Sequence, residues 1–170
     1  MEKTLKVIKE LKENEVIKDY AIGGGIAALY YVEPLLTYDI DIFFIPVEES
    51  LNVLHPIYNY LKKKGYKTHK EHILIEGVPV QFIPVYNELV KEAIGNSVEA
   101  KYRRIRTKVI GVEYLVAIMF QTFRPKDRER IIKIIEEAEP DLKFLEKILK
   151  RYSLYQKFRK FRGMYYGKSG

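Results

Sequence analysis

The chain has 170 residues, no cysteine, 47% hydrophobic and 31% charged residues, and a formal charge of +7. One domain of this length buries roughly 70% of the surface its unfolded chain exposes, and the absence of cysteine excludes a disulfide scaffold or a cysteine-based zinc module. The longest apolar run, Leu115–Phe120, is far below the ~18 residues of a membrane span, and the mixed-charge N-terminus lacks an apolar leader, so a soluble cytoplasmic protein with no membrane partner is expected.

Leu5, Ile8 and Leu11 recur at helical spacing and predict a first helix over Thr4–Lys12. Ile17–Ile22 reads as a strand that runs into Gly23-Gly24-Gly25, after which Ile26–Tyr31 reads as a helix stopping before Pro34. Alternation over Tyr38–Ile45 predicts a strand, with Ile40, Ile42 and Phe44 on one face and Asp39, Asp41 and Phe43 on the other. A helix is expected over Val47–Lys64, its end marked by three lysines and Gly65. Ile73–Ile75 and Val78–Ile83 flank Glu76-Gly77 as a two-residue hairpin. Glu88–Ile94 reads as a short helix and Glu99–Val109 as an extended segment. Beyond Gly111 the pattern is helical, over Val112–Phe123, Lys126–Ala138, Asp141–Tyr152 and Leu154–Arg162, with a frayed tail from Gly163.

This order predicts an α+β fold, close to α/β: a small mixed sheet over residues 1–110 and a helical lobe over 111–170, packed as one compact unit. Residues 1–100 hold 11 Lys and Arg against 15 Asp and Glu, a balance of −4, whereas 101–170 hold 19 against 8, a balance of +11. A basic segment of that size attracts polyanions such as nucleic acid or a nucleotide phosphate, or simply keeps the chain soluble.

Asp39-Ile40-Asp41 is the sharpest chemical feature. Carboxylates at i and i+2 of a strand project from one face roughly 7 Å apart at the backbone, and hard oxygen ligands of this kind suit Mg²⁺, which shares its shell with water and phosphate. The alternative is a solvated acidic strand face, although acidic residues are depleted in strands. The Gly23-Gly24-Gly25 turn opens a helix, where backbone N–H groups and the positive dipole end can cradle a phosphate; a simple tight turn is the competing reading. Lys126-Asp127 follows Pro125, a combination that also suits an ordinary helix start. Lys101, Arg103, Arg104, Arg106 and Lys108 form either a phosphate-tracking ribbon or a charged sheet edge that blocks aggregation. Tyr152, Tyr155, Phe158 and Phe161 recur every three residues among cations, a pattern more often packed than base-stacking. His69 and His72 read as surface residues.

Together, the run Ile22-Gly23-Gly24-Gly25 followed by Thr37-Tyr38-Asp39-Ile40-Asp41 resembles the DNA polymerase beta-like nucleotidyltransferase superfamily. It is similar in particular to its minimal members related to abortive-infection AbiE-type toxins. Arg124-Pro125-Lys126-Asp127 looks like the Lys-Asp element that such proteins carry at a helix start. The resemblance, over roughly residues 17–150, implies transfer of a nucleoside monophosphate from a nucleoside triphosphate to an acceptor hydroxyl. It implies catalytic, Mg²⁺-binding Asp39 and Asp41, and nucleotide contacts from Gly23, Gly24, Thr37, Lys126 and Asp127. It leaves the acceptor open among tRNA or other RNA, a protein and a small molecule, and it implies a cognate antitoxin protein as partner. Two departures stand out: Leu35 occupies a position where many relatives carry arginine, and Gln81 occupies the third-carboxylate position. An amide can neither ionise nor take a proton, so a non-catalytic nucleotide- or RNA-binding relative is the competing expectation, and a partner-binding protein of a toxin–antitoxin pair is the third.

Overall fold

A computed structural model of the chain describes residues 1–33 and 37–167; Leu35 lies outside them. The elements in chain order are α1 (Glu2–Glu13), β1 (Ile17–Gly23), α2 (Gly24–Tyr31), β2 (Ile40–Pro46), α3 (His55–Lys63), β3 (Lys67–His69), β4 (His72–Ile75), β5 (Val78–Pro84), α4 (Glu88–Gly95), β6 (Val98–Tyr102), β7 (Ile105–Val109), α5 (Val112–Thr122), α6 (Pro125–Glu137), α7 (Leu142–Arg151) and α8 (Tyr155–Tyr165). They divide into two units, Met1–Gly111 and Val112–Gly170. The five cations between Lys101 and Lys108 therefore belong to the first unit, and the step in charge precedes the step in architecture.

The first unit is built on one mixed seven-stranded sheet in the order β3-β4-β5-β2-β1-β7-β6. β1 runs antiparallel to β2 and parallel to β7, and β2 runs parallel to β5. Alternation sends Ile40, Ile42 and Phe44 into the core, where Val80, Phe82, Ile73 and Ile75 are also buried. Helix α1 presents Leu5, Ile8 and Leu11 to that core and is tied to β4 by Thr4 Oγ1, which donates to the Ile75 carbonyl at 3.2 Å. Asp19 at the start of β1 accepts from Lys12 and Lys108 at 2.8 and 2.7 Å. Burial pushes its carboxyl upward, but the two ammonium donors outweigh this and hold it below its ordinary value.

Three expectations are corrected. The helix expected from Val47 begins only at His55, because Pro56 lacks an N–H and its ring tolerates only the first turn. Glu99–Val109 is a hairpin, β6 pairing antiparallel with β7, and Arg103 at its turn has φ of 53°. β6 is one edge of the sheet and carries only Lys101 of the five cations; Arg103 and Arg104 form the turn, and Arg106 and Lys108 lie on β7 inside the edge. Helix α8 carries on through Gly163 to Tyr165, so that part of the tail is ordered helix. Strand β3, three exposed polar residues, has no apolar alternation and was not expected from the sequence.

The second unit consists of α5 to α8. Phe120 lies at its centre, edge-on to Phe158 and Phe161 with ring centroids 5.7 and 5.3 Å away. Phe158 and Phe161 are buried, so the aromatic repeat of α8 is largely a packing face. Lys157 Nζ donates to the Phe120 carbonyl at 2.8 Å near the end of α5 and sits 4.4 Å from the Phe123 ring centroid. Among the described residues, no helix is long and apolar enough to cross a membrane.

Candidate functional site

The antiparallel ladder of β1 and β2 sets Gly23 opposite Asp41. Past Gly23 the chain turns into α2 with Gly24 at φ +56°, a left-handed conformation that side chains rarely adopt. A Cβ on Gly24 would overlap Asp41 Oδ2 and fall 2.8 Å from its Cγ; one on Gly23 would strike the Phe43 ring. The glycines are thus needed for close approach, and at Gly24 for backbone conformation as well. The result places the Asp41 carboxylate directly against the backbone that opens α2, the end of a helix that attracts anions.

Asp39 stands one residue before β2, outside its hydrogen-bonded ladder. The Thr37 hydroxyl donates to the Asp39 carbonyl at 3.4 Å, so Thr37 shapes the approach to the strand. Asp39 Oδ2 lies 3.2 Å from His72 Nε2. A carboxylate can only accept, which makes the imidazole the donor through Nε2–H. His72, read from the sequence as a surface residue, is half-buried and bonded to one of the candidate ligands. The one available signal was phase: on β4, Ile73 and Ile75 are buried, which sends His72 to the opposite face.

The parallel pairing of β2 with β5 sets Asp41 beside Gln81. Neighbours in such a ladder share a face, so Gln81 stands in the row where a third carboxylate was expected. Antiparallel β4 pairs Ile73 with Val80, and one step further the same register brings His72 alongside Gln81. His69 pairs with His72 across the β3–β4 hairpin. The row on this face thus reads His69, His72, Gln81, Asp41. Glu76, at the β4–β5 turn, accepts from Tyr66 Oη at 2.8 Å, and Glu71 is exposed.

Lys126 and Asp127 lie in the second unit, on the first turn of α6. Lys126 is exposed, whereas Asp127 is only 1% exposed. Asp127 Oδ2 accepts from Thr122 Oγ1, Arg124 N and Arg124 Nε at 2.9, 3.0 and 2.9 Å, closing a capping arrangement. Burial opposes ionisation there, but the donors of Arg124 and Thr122 prevail and hold the carboxyl below its ordinary value. The helix start accounts for this aspartate.

Among the described residues, no cluster of three or more His, Asp and Glu could hold a metal ion alone. Mg²⁺ commonly uses one or two carboxylates and completes its shell with water and phosphate. Asp39 and Asp41 match that donor chemistry, and the glycine corner that a Cβ would fill leaves the Asp41 carboxylate in place. A cavity of about 390 Å³ in the first unit lies elsewhere: it is lined by Val16, Pro46, Pro56 and Tyr60, at the opposite ends of β1 and β2.

No family model matches the chain, and no curated protein is similar to it in sequence. Among solved structures, the chain is similar to an antigenic nucleotidyltransferase-like protein from Paracoccidioides brasiliensis. The TM-score is 0.58 and the identity 14%, over 94% of this chain and 88% of that one. At that identity the likeness establishes the fold, a nucleotidyltransferase-like arrangement of mixed sheet and helices.

Proposed function

We propose that the chain is a Mg²⁺-dependent nucleotidyltransferase that moves a nucleoside monophosphate from a nucleoside triphosphate to an acceptor hydroxyl. The observation that carries this reading is the Asp41 carboxylate held against the left-handed Gly24 at the opening of α2. That corner combines an oxygen ligand with backbone donors, the two kinds of group a metal-bound triphosphate engages. Asp39 and Asp41 are the residues that would hold Mg²⁺, and the chemistry the ion supplies when bound is neutralisation of triphosphate charge.

The residues' own part is positioning. Gly23 and Gly24 let the backbone approach a phosphate closely, and Thr37 shapes the segment that carries Asp39. The acceptor oxygen would form its bond to the α-phosphorus as the bond to the pyrophosphate oxygen breaks, and the hydroxyl proton would leave to solvent water. Gln81 cannot accept the hydroxyl proton, so no base acts from that position.

The register that sets Gln81 beside Asp41 favours a second reading, a relative that binds nucleotide without turning it over. Losing a general base typically costs about 10²–10⁴ in rate. One experiment separates the two: each labelled triphosphate is incubated with Mg²⁺, total RNA and soluble protein, for the wild type and Asp39→Asn. Label transferred to RNA, protein or a small molecule by the wild type alone supports the enzyme. Metal-dependent nucleotide binding without transfer supports the binding relative. Unchanged binding by Asp39→Asn overturns the site for both.

A further inference from the structure

We infer that His72 is a positioning residue for Asp39, fixing one carboxylate oxygen so that the other faces a divalent cation. This rests on the reading of Asp39 as a metal ligand. The two aspartates are held in different ways. Asp41 lies within a ladder paired on both sides, with Gly23 on β1 and Gln81 on β5. Asp39 precedes β2 and has no such ladder. A short side chain on that segment has rotamers to choose among unless something selects one, and disorder in a ligand weakens metal binding.

The β3–β4 hairpin supplies the selection. Strand β4 is pinned between β3 and β5, with Ile73 and Ile75 buried beneath it. His72 is thereby fixed on the polar face and reaches over β5 to Asp39, Nε2 to Oδ2 at 3.2 Å. The side chains of His72 and Asp39 are 23% and 37% exposed, enough shelter for a hydrogen bond to count and enough access for a cation. Donation from Nε2–H occupies Oδ2 and leaves Oδ1 for the ion. It also makes His72 a donor to the carboxylate and not itself a ligand.

The test uses the full chain and Mn²⁺ alone as probe, with free ion followed by electron paramagnetic resonance. His72→Gln and His72→Asn are both polar and compact, and they differ in reach: the glutamine amide nitrogen falls where Nε2 lies, and the asparagine amide stops short. Expected is a 10–100-fold weaker Mn²⁺ affinity for His72→Asn, substantial recovery in His72→Gln, and no further loss when His72→Asn is added to Asp39→Asn. Thermal melting of each variant confirms that it is folded. If His72→Asn and His72→Gln bind Mn²⁺ as the wild type does while Asp39→Asn does not, the inference fails and the site stands. Equal losses for both His72 variants also overturn it, because the donor would then be irrelevant. If Asp39→Asn binds Mn²⁺ normally, the site reading fails first.

Discussion

Asp41 in the sheet unit and Asp127 in the helical unit are both acidic residues close to a helix start, yet their surroundings, and those of Asp39 beside Asp41, differ in kind. Asp127 is sealed, with Thr122 and Arg124 converging on it. The Asp39 side chain keeps more than a third of its surface in solvent, and Asp41 is partly exposed beside a glycine corner. The contrast teaches that proximity to a helix start does not by itself make a ligand. A carboxylate whose acceptor sites are taken by its own cap contributes to folding, and one with an accessible face can meet a cation.

The largest expected effect follows from the accessible pair. Asp41→Asn should weaken Mg²⁺-dependent nucleotide binding by at least about 100-fold with little change in thermal stability, whereas Asp127→Asn should leave binding intact; calorimetric titration of both variants decides it. A similar loss in Asp127→Asn would mean that the capped carboxylate serves binding as well as folding. Next comes the corner itself. Gly24→Ala should cost about 1–2 kcal/mol for the left-handed backbone and displace Asp41, abolishing metal-dependent binding. Gly65→Ala, at φ +88° with nothing within 4 Å of its added Cβ, should carry the backbone cost only. Urea unfolding alongside nucleotide titration separates strain from site damage.

Asp127→Ala should cost roughly 0.5–2 kcal/mol in unfolding free energy, the usual worth of a helix cap. Because its carboxyl is held below the ordinary 3.8, it contributes stability above that value, and the contribution fades as pH falls through the folded-state value. The variant should therefore flatten the acid limb of the stability curve measured by denaturant melts between about pH 2 and 6. The smallest effect belongs to Asp19→Asn, about 0.5 kcal/mol, since Lys12 and Lys108 are partly exposed. Its sign with pH is the same, and raising salt should shrink it.

Much of this was legible in the sequence because local rules sufficed. The glycine turn, the alternation over β2 and the Glu76-Gly77 hairpin each declare themselves within a few residues. What escaped depends on distant partners or on a weak signal. His72 meets Asp39 across 33 positions, and only the ladder of β4 on β5 and β5 on β2 brings them together. Arg103 and Arg104 give no hint of a turn, since tight hairpin loops usually advertise themselves with glycine or asparagine. Pro56 was a legible signal, and its conflict with a helix from Val47 follows from backbone sterics alone.

The parallel pairing of β1 with β7 bears on how the chain comes into being. Ile22 pairs with Val109, and the Ile110 N–H donates to the Ile22 carbonyl at 2.9 Å, so the strand leading into the glycine corner acquires its second neighbour from a segment almost ninety positions later. During synthesis every proposed ligand of the sheet unit is made by Gln81, while one side of β1 still waits for residues 105–109. Closing so long a loop is entropically costly and kinetically slow. Until β7 arrives, the nascent sheet carries an open edge at β1, the stretch most vulnerable to mispairing with another chain.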